Sequence, residues 1–287
     1  MAEIPDAFER PANCPGKLVN LNYQTWEAFT YQKRLQRLKK RAVVYLPYNY
    51  DPKQQYNVFY LMHGGWSNET TYLGIPGKPS TFKNVIDNAV ETKTMAPMII
   101  VCPTYNNTSV RDSSDYSMAV ELTARYPQEL VNDLIPAVEG TFSTFAASTD
   151  RIDLRASRDH RAFGGFSMGS VATWQVFAQC LDVFRYFFPS SGNLTADGKK
   201  MAKLVKDQGF GPEDFFIFAA SGTHDFAYPA FSEQIQNMSK EDLFQTVSNE
   251  QEGNLCYRIK RHGVHGKEDA LQYFYQAMSR IWKPAEK

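Results

Sequence analysis

The stretch Gly165-Phe166-Ser167-Met168-Gly169 follows directly on the strand-like run Arg161-Ala162-Phe163-Gly164. It reads G-x-S-x-G, the pattern of an elbow that carries a serine on a tight strand-to-helix turn. A serine so placed is held in a sparsely allowed backbone conformation. Side chains at Gly165 or Gly169 would collide with the neighbouring strand and helix, so glycine is required at both. Beyond the elbow, residues 170–181 present Val171, Trp174, Val176, Phe177 and Leu181, an apolar pattern that a helix buries. A helix N-terminus beneath Ser167 sets partial positive charge near any oxyanion formed there.

On either side of the elbow, strands and helices alternate. Residues 39–46, Asn57–Met62, Met98–Cys102, 184–188, 215–220 and 255–261 have strand character. Residues 80–91, 127–142 and 267–282 read as helices, the second opening at Pro127 because proline suits the first helical position. Residues 104–116, rich in Asn, Ser, Thr and Asp, form a polar loop. The weakly periodic residues 1–18 read as an N-terminal arm or linker remnant, and 19–287 as one domain. Strands apolar on both faces and separated by helices predict an α/β fold, a mostly parallel central sheet with helices on both faces.

Composition narrows the partners. The 287 residues carry no formal net charge, 43% are hydrophobic and 22% charged, which fits a globular chain and excludes disorder. Lys39-Lys40-Arg41 is the longest basic run, so nothing is built to attract a phosphate backbone and no nucleic-acid partner is expected. No apolar run approaches the ~20 residues of a membrane span. The start, Met1-Ala2-Glu3-Ile4-Pro5, lacks the charged and apolar regions of a signal peptide. Cys14, Cys102, Cys180 and Cys256 form no C-x-x-C pair, so buried thiols are expected and no metal or other cofactor.

In such sheets the reactive groups gather in loops at the carboxyl ends of strands. Four such loops carry polar chemistry: His63-Gly64-Gly65, the elbow, Thr223-His224-Asp225 and His262-Gly263-Val264-His265-Gly266. A serine hydroxyl needs an imidazole to accept its proton, and the imidazole needs a carboxylate to fix its tautomer. Ser167, Asp225 and His265 occur in the order Ser, Asp, His that the α/β-hydrolase fold uses. His265, which lies past Gly263 and before Gly266 in a flexible loop, is favoured as base over His262, which closes the last strand. Asp225 is favoured over Asp214, which precedes its strand, and over Asp269, read as solvated in the final helix. His63-Gly64-Gly65-Trp66 resembles a loop that donates one oxyanion hydrogen bond from its backbone. Gly65 is the expected donor with Trp66 the alternative, and Met168 N–H supplies the second bond.

The chain resembles the feruloyl esterases of carbohydrate esterase family 1. The resemblance rests on Tyr60-Leu61-Met62-His63-Gly64-Gly65, on the elbow, and on Ala219-Ala220-Ser221-Gly222-Thr223-His224-Asp225-Phe226-Ala227-Tyr228. Gly263-Val264-His265 followed by Asp269-Ala270-Leu271-Gln272-Tyr273-Phe274-Tyr275 extends it. The resemblance implies an α/β-hydrolase fold with Ser167 as nucleophile, Asp225 as acid and His265 as base. It further implies feruloylated arabinoxylan or a xylo-oligosaccharide as substrate, a secreted setting, and attachment to a larger xylanase polypeptide. A planar phenolic acid suits a slot lined by aromatic side chains, for which Trp66, Tyr105, Phe226 and Tyr228 are the candidates. Ser170 and Gly266 depart from the family's usual residues, the second at the floor of the acyl pocket. The rival readings are an acetyl xylan esterase or S-formylglutathione hydrolase on the same fold, and a carbohydrate-binding relative without chemistry.

Overall fold

The computed structural model describes Met1 and residues 3–282. Ten strands are formed. They are β1 (Lys17–Trp26), β2 (Arg37–Leu46), β3 (Asn57–Met62), β4 (Gly74–Ile75), β5 (Lys78–Pro79), β6 (Met98–Cys102), β7 (Arg161–Phe166), β8 (Tyr186–Ser190), β9 (Phe216–Gly222) and β10 (Leu255–Lys260). The helices are α1 (Thr81–Glu91), α2 (Tyr116–Glu129), α3 (Ile135–Glu139), α4 (Arg151–Ala156), α5 (Met168–Gln179), α6 (Gly198–Asp207), α7 (Tyr228–Met238) and α8 (Lys267–Met278). Eight strands make one sheet in the order β1-β2-β6-β3-β7-β8-β9-β10, and β4 and β5 pair separately. β1 and β2 run antiparallel at one edge, and from β6 to β10 every pairing is parallel.

Alternation along β3 shows why both faces need covering. Val58, Tyr60 and Met62 pack into one apolar cluster, with Leu122 of α2, Trp174 of α5 and Phe231 of α7. Phe59 and Leu61 point the other way, into a second cluster with Phe82 of α1 and Phe274 of α8. Successive strand side chains point to opposite faces, so a strand buried on both sides carries no polar residue in its middle.

One expectation about the elements is corrected, and one strand is added that the sequence reading did not name. The helix expected to open at Pro127 begins at Tyr116, where the Asp115 carboxylate accepts the Met118 N–H at 2.9 Å. Pro127 lies inside it, and a π turn, Leu130–Leu134, follows directly before α3. Ala119, Leu122, Tyr126, Leu130 and Leu134 are all buried, so one apolar stripe runs through the irregularity, and packing outweighs the missing N–H of the proline. Strand β1 went unread because it alternates as an edge strand does, with Asn22 and Gln24 facing water and Leu21 and Tyr23 buried.

The N-terminal residues are tied to α1. Asn88 Nδ2 donates to the carbonyls of Phe8 and Arg10 at 3.1 and 2.9 Å, and Asp87 Oδ1 accepts the Gly16 N–H at 2.8 Å. All four cysteines are unpaired, with Cys102, Cys180 and Cys256 buried. Among the described residues no helix is long and apolar enough to cross a membrane. None of their His, Cys, Asp and Glu side chains forms a group of three or more placed to hold a metal ion.

Candidate active site

Strand β7 sits centrally in the sheet, and Ser167 follows it at φ 58° and ψ −118°. That left-handed geometry is costly for a residue with a side chain, and the surroundings impose it. The Ser167 N–H is held by the Ser190 carbonyl at 2.9 Å. A Cβ on Gly165 would lie 2.6 Å from the carbonyl of Gly169, and one on Gly169 only 2.4 Å from the Met62 carbonyl oxygen. The elbow therefore fits only with both glycines. Met168 is the first residue of α5, so its N–H has no partner within the helix and faces outward beside the serine.

Three side chains from separate loops converge here. Ser167 Oγ donates to His265 Nε2 at 2.9 Å, and His265 Nδ1 donates to Asp225 Oδ1 at 2.7 Å. A carboxylate only accepts, so the proton sits on Nδ1 and leaves Nε2 free to accept. Asp225 is 3% exposed and also takes the Ala227 N–H at 2.8 Å. Burial alone would raise its carboxyl, but the hydrogen bonds from His265 and from the Ala227 N–H, with the Ser191 hydroxyl close by, outweigh it and hold the group below the ordinary carboxylate range.

His262 does not reach the serine: it is exposed at φ 60° and pairs with His224, whose Nε2 lies 3.3 Å from its Nδ1. Asp214 lies before β9, where it accepts the Gly211 N–H at 2.7 Å. Asp269, expected to be solvated, is instead 7% exposed. Its carboxylate accepts from Lys260 Nζ and from the Val264 N–H, both at 2.5 Å, and so braces the loop that carries His265.

The loop after β3 forms the facing wall. His63 is 1% exposed, with Nδ1 donating to the Gly64 carbonyl and Nε2 accepting from Thr104 Oγ1, both at 2.7 Å. Burial pushes its pKa down to about 4, Lys40 adds to this, and the bond to Gly64 opposes it. It is a neutral brace. The Trp66 N–H is committed to the Ser113 carbonyl at 2.9 Å, whereas the Gly65 N–H has no protein acceptor among the described residues. Asn106, which sequence reasoning passed over, ties this loop to residues 104–116. Its Nδ2 donates to the carbonyls of Ser67 and Val110 at 3.0 and 3.1 Å, and its Oδ1 accepts the Ser113 N–H at 2.8 Å.

Two cavities of about 340 and 360 Å³ meet at Ser167, sharing Gly65, Trp66, Phe226 and His265 in their walls. The first continues past Thr71, Tyr72, Gly266 and Lys267, the second past Tyr116, Met168, Val171 and Asn193. Trp66 and Phe226 stand 74% and 79% exposed at the junction. The other two aromatic candidates line neither cavity. Tyr105 is buried beneath the loop, stacked on His63 with centroids 4.5 Å apart and donating to the Gly64 carbonyl at 3.0 Å. Tyr228 is the first residue of α7, and its N–H is held by the Asp225 carbonyl at 3.0 Å. Tyr116, at the end of the polar loop, and Tyr72 are aromatic walls that the sequence reading overlooked.

A parallel sheet with a serine elbow at its centre and an aspartate and histidine delivered from the next loops defines an α/β-hydrolase. The family model described as putative esterase matches residues 36–195. Among solved structures, the feruloyl esterase module from Clostridium thermocellum, in a variant complexed with sinapinate, is 30% identical with a TM-score of 0.84. The match covers 100% of this chain and 95% of that one. This chain belongs to that esterase family and groups with the feruloyl esterase modules. A structure titled FAE is 31% identical with a TM-score of 0.85, over 99% of this chain and 94% of that one. Endo-1,4-beta-xylanase Y of Acetivibrio thermocellus is 34% identical over 280 residues, 96% of this chain and 24% of that protein. The chain thus spans about a quarter of the length of the curated relatives it matches.

Proposed function

We propose that this chain is a serine esterase hydrolysing feruloyl and related hydroxycinnamoyl esters of plant cell-wall arabinoxylan. The observation that carries the reading is the hydrogen-bonded line Ser167–His265–Asp225 at the junction of two cavities. Ser167 Oγ attacks the ester carbonyl carbon as its proton passes to His265 Nε2, and Asp225 stabilises the imidazolium. The tetrahedral oxyanion is received by the N–H groups of Gly65 and Met168, both without a competing acceptor among the described residues. Collapse breaks the bond to the sugar oxygen, which leaves with the proton from His265. Water, deprotonated by the same imidazole, then attacks the acyl carbon, and the bond to Ser167 Oγ breaks as that oxygen takes the proton back from His265, releasing the hydroxycinnamic acid.

Cavities of this size on both sides of the serine suit an ester with a bulky acid and a bulky alcohol. An acetyl group would leave one of them unused, which favours the feruloyl reading over an acetyl esterase. Trp66, Phe226 and Tyr116 supply aromatic surface for a phenolic ring or a sugar. The likeness to xylanase-linked modules supports a place within a larger xylanase polypeptide acting on xylan outside the cell. Turnover of methyl ferulate, coumarate, sinapate and acetate esters tests the reading. Ferulate release is expected to exceed acetate release and to vanish in Ser167→Ala. Retained ferulate turnover in that variant would overturn the nucleophile, and faster acetate release would overturn the substrate class.

A further inference from the structure

The imidazole of His265 touches two aromatic rings. Phe166, the residue before the serine, lies with its ring centroid 4.5 Å from that of His265 at 39°. Phe226, the residue after Asp225, lies at 4.2 Å and 37°. The two phenylalanines make no ring contact with each other among the described residues, so they approach the imidazole from different sides. Phe166 is buried at 7% exposure and belongs to the core, whereas Phe226 is 79% exposed. Core packing accounts for the first ring and does not account for the second.

The turn that carries Phe226 explains its placement. Asp225 N–H bonds the Gly222 carbonyl at 3.1 Å, and Tyr228 N–H bonds the Asp225 carbonyl at 3.0 Å. One tight turn thus delivers a carboxylate to the Nδ1 edge of the imidazole and a phenyl ring to its face. We propose that Phe226, acting with Phe166, is a positioning residue for the base: it fixes the imidazole plane and favours its charged form during acyl transfer. The inference rests on the reading of Ser167 and His265 as the reacting pair, and is independent of which acid is esterified.

Two physical effects support it. The hydrogen bonds at Nδ1 and Nε2 fix points on the imidazole but still allow the ring to rock about the line joining them, and flanking rings suppress that motion. The face of a phenyl ring carries negative quadrupole density, which attracts the cation that His265 becomes as it takes the serine proton.

The test uses the full chain with Phe226→Ala, Phe226→Leu and Phe226→Tyr. The readout is phosphonylation of Ser167 by an alkyl fluorophosphonate, a probe with no aromatic group to stack on residue 226. The expected result is labelling slowed about 10-fold in Phe226→Ala, partly restored by Leu and fully by Tyr. In proton NMR the His265 Nδ1–H resonance is expected to broaden in the alanine variant through faster exchange. Because the side chain is exposed, thermal unfolding is expected to stay near that of the parent chain. Labelling of both Phe226→Ala and Phe226→Leu within 2-fold of the parent would overturn the inference, leaving the ring only a wall for substrate. Absence of labelling in the parent chain itself would instead overturn the serine reading, and this inference with it.

Discussion

The backbone N–H of Trp66 is taken up by the carbonyl of Ser113, 2.9 Å away across two loops. That bond occupies the Trp66 N–H, so on the proposed mechanism the preceding amide, Gly65, is the donor this loop offers to an oxyanion. Asn106, 4% exposed, keeps Ser113 in place through three side-chain hydrogen bonds. Asn106→Ala leaves the buried Ser113 N–H without an acceptor, and is expected to cost about 2–3 kcal/mol of stability. The loosened Gly65 amide is expected to lower kcat about 10- to 100-fold with a smaller change in KM. Urea denaturation and steady-state kinetics on methyl ferulate check both, and an unchanged kcat in the folded variant would remove the loop from the oxyanion site.

The elbow makes a sharper demand. A methyl group at residue 169 meets the carbonyl oxygens of Met62 at 2.4 Å and His63 at 2.8 Å, and backbone atoms cannot swing aside as a side chain can. Gly169→Ala is expected to cost several kcal/mol and to yield little soluble folded protein. Gly77 provides the contrast, since its φ is +82° with nothing within 4 Å of an added Cβ. Gly77→Ala is expected to cost only about 1 kcal/mol, from backbone strain alone. Circular dichroism melts of the two variants side by side decide the matter.

How legible these features are in the amino-acid order follows from the range of the interactions behind them. Asn57–Met62 and Met98–Cys102 match their expected bounds because a strand buried on both faces excludes polar residues throughout. The elbow is legible because its sterics are local: both glycines sit within two residues of the serine. Asn106 is illegible for the opposite reason, being one polar residue in a polar loop whose meaning lies in contact with Ser67, 39 positions away. Tyr105 misleads similarly, since its bracing role comes from the Gly64 carbonyl, 41 positions away. Asp269 misleads although its partners Lys260 and Val264 are near in sequence, because an acid in the first turn of a helix reads as solvated until the preceding loop is seen to fold back onto it. Pro127 misleads because the rule that proline opens a helix yields to an apolar stripe spanning 119–134.

His63 links stability to pH. In the unfolded chain an imidazole takes its proton near pH ~6.5, but the buried ring refuses it until about 4. A depressed folded pKa gives stability that is complete above the unfolded value and is lost as pH falls toward the folded one. Between pH 7 and 5 this group is expected to remove about 2 kcal/mol. His63→Gln has no such titration, so its unfolding free energy is expected to fall less over that interval. Urea midpoints of both proteins at the two pH values give the difference directly; equal slopes would contradict the neutral brace.

Asp225 raises a question of charge against geometry. Its Oδ1 accepts from both His265 Nδ1 and Ala227 N, while Oδ2 is buried without a hydrogen bond among the described residues. The Ser191 hydroxyl beside that carboxylate is engaged by Ser221 at 2.9 Å. Asn at this position therefore keeps its carbonyl where Oδ1 stands, still bonded to His265 Nδ1–H, and turns its NH₂ toward Ser191. The imidazole tautomer survives and only the negative charge is lost. Asp225→Asn is accordingly expected to reduce kcat about 10²-fold, less than the ~10⁴ that follows when the tautomer reverses. Asp225→Ala, which removes the acceptor altogether, is expected to fall ~10³–10⁴-fold. Equal losses in the two variants would mean that the negative charge, rather than the orientation of His265, is what Asp225 supplies.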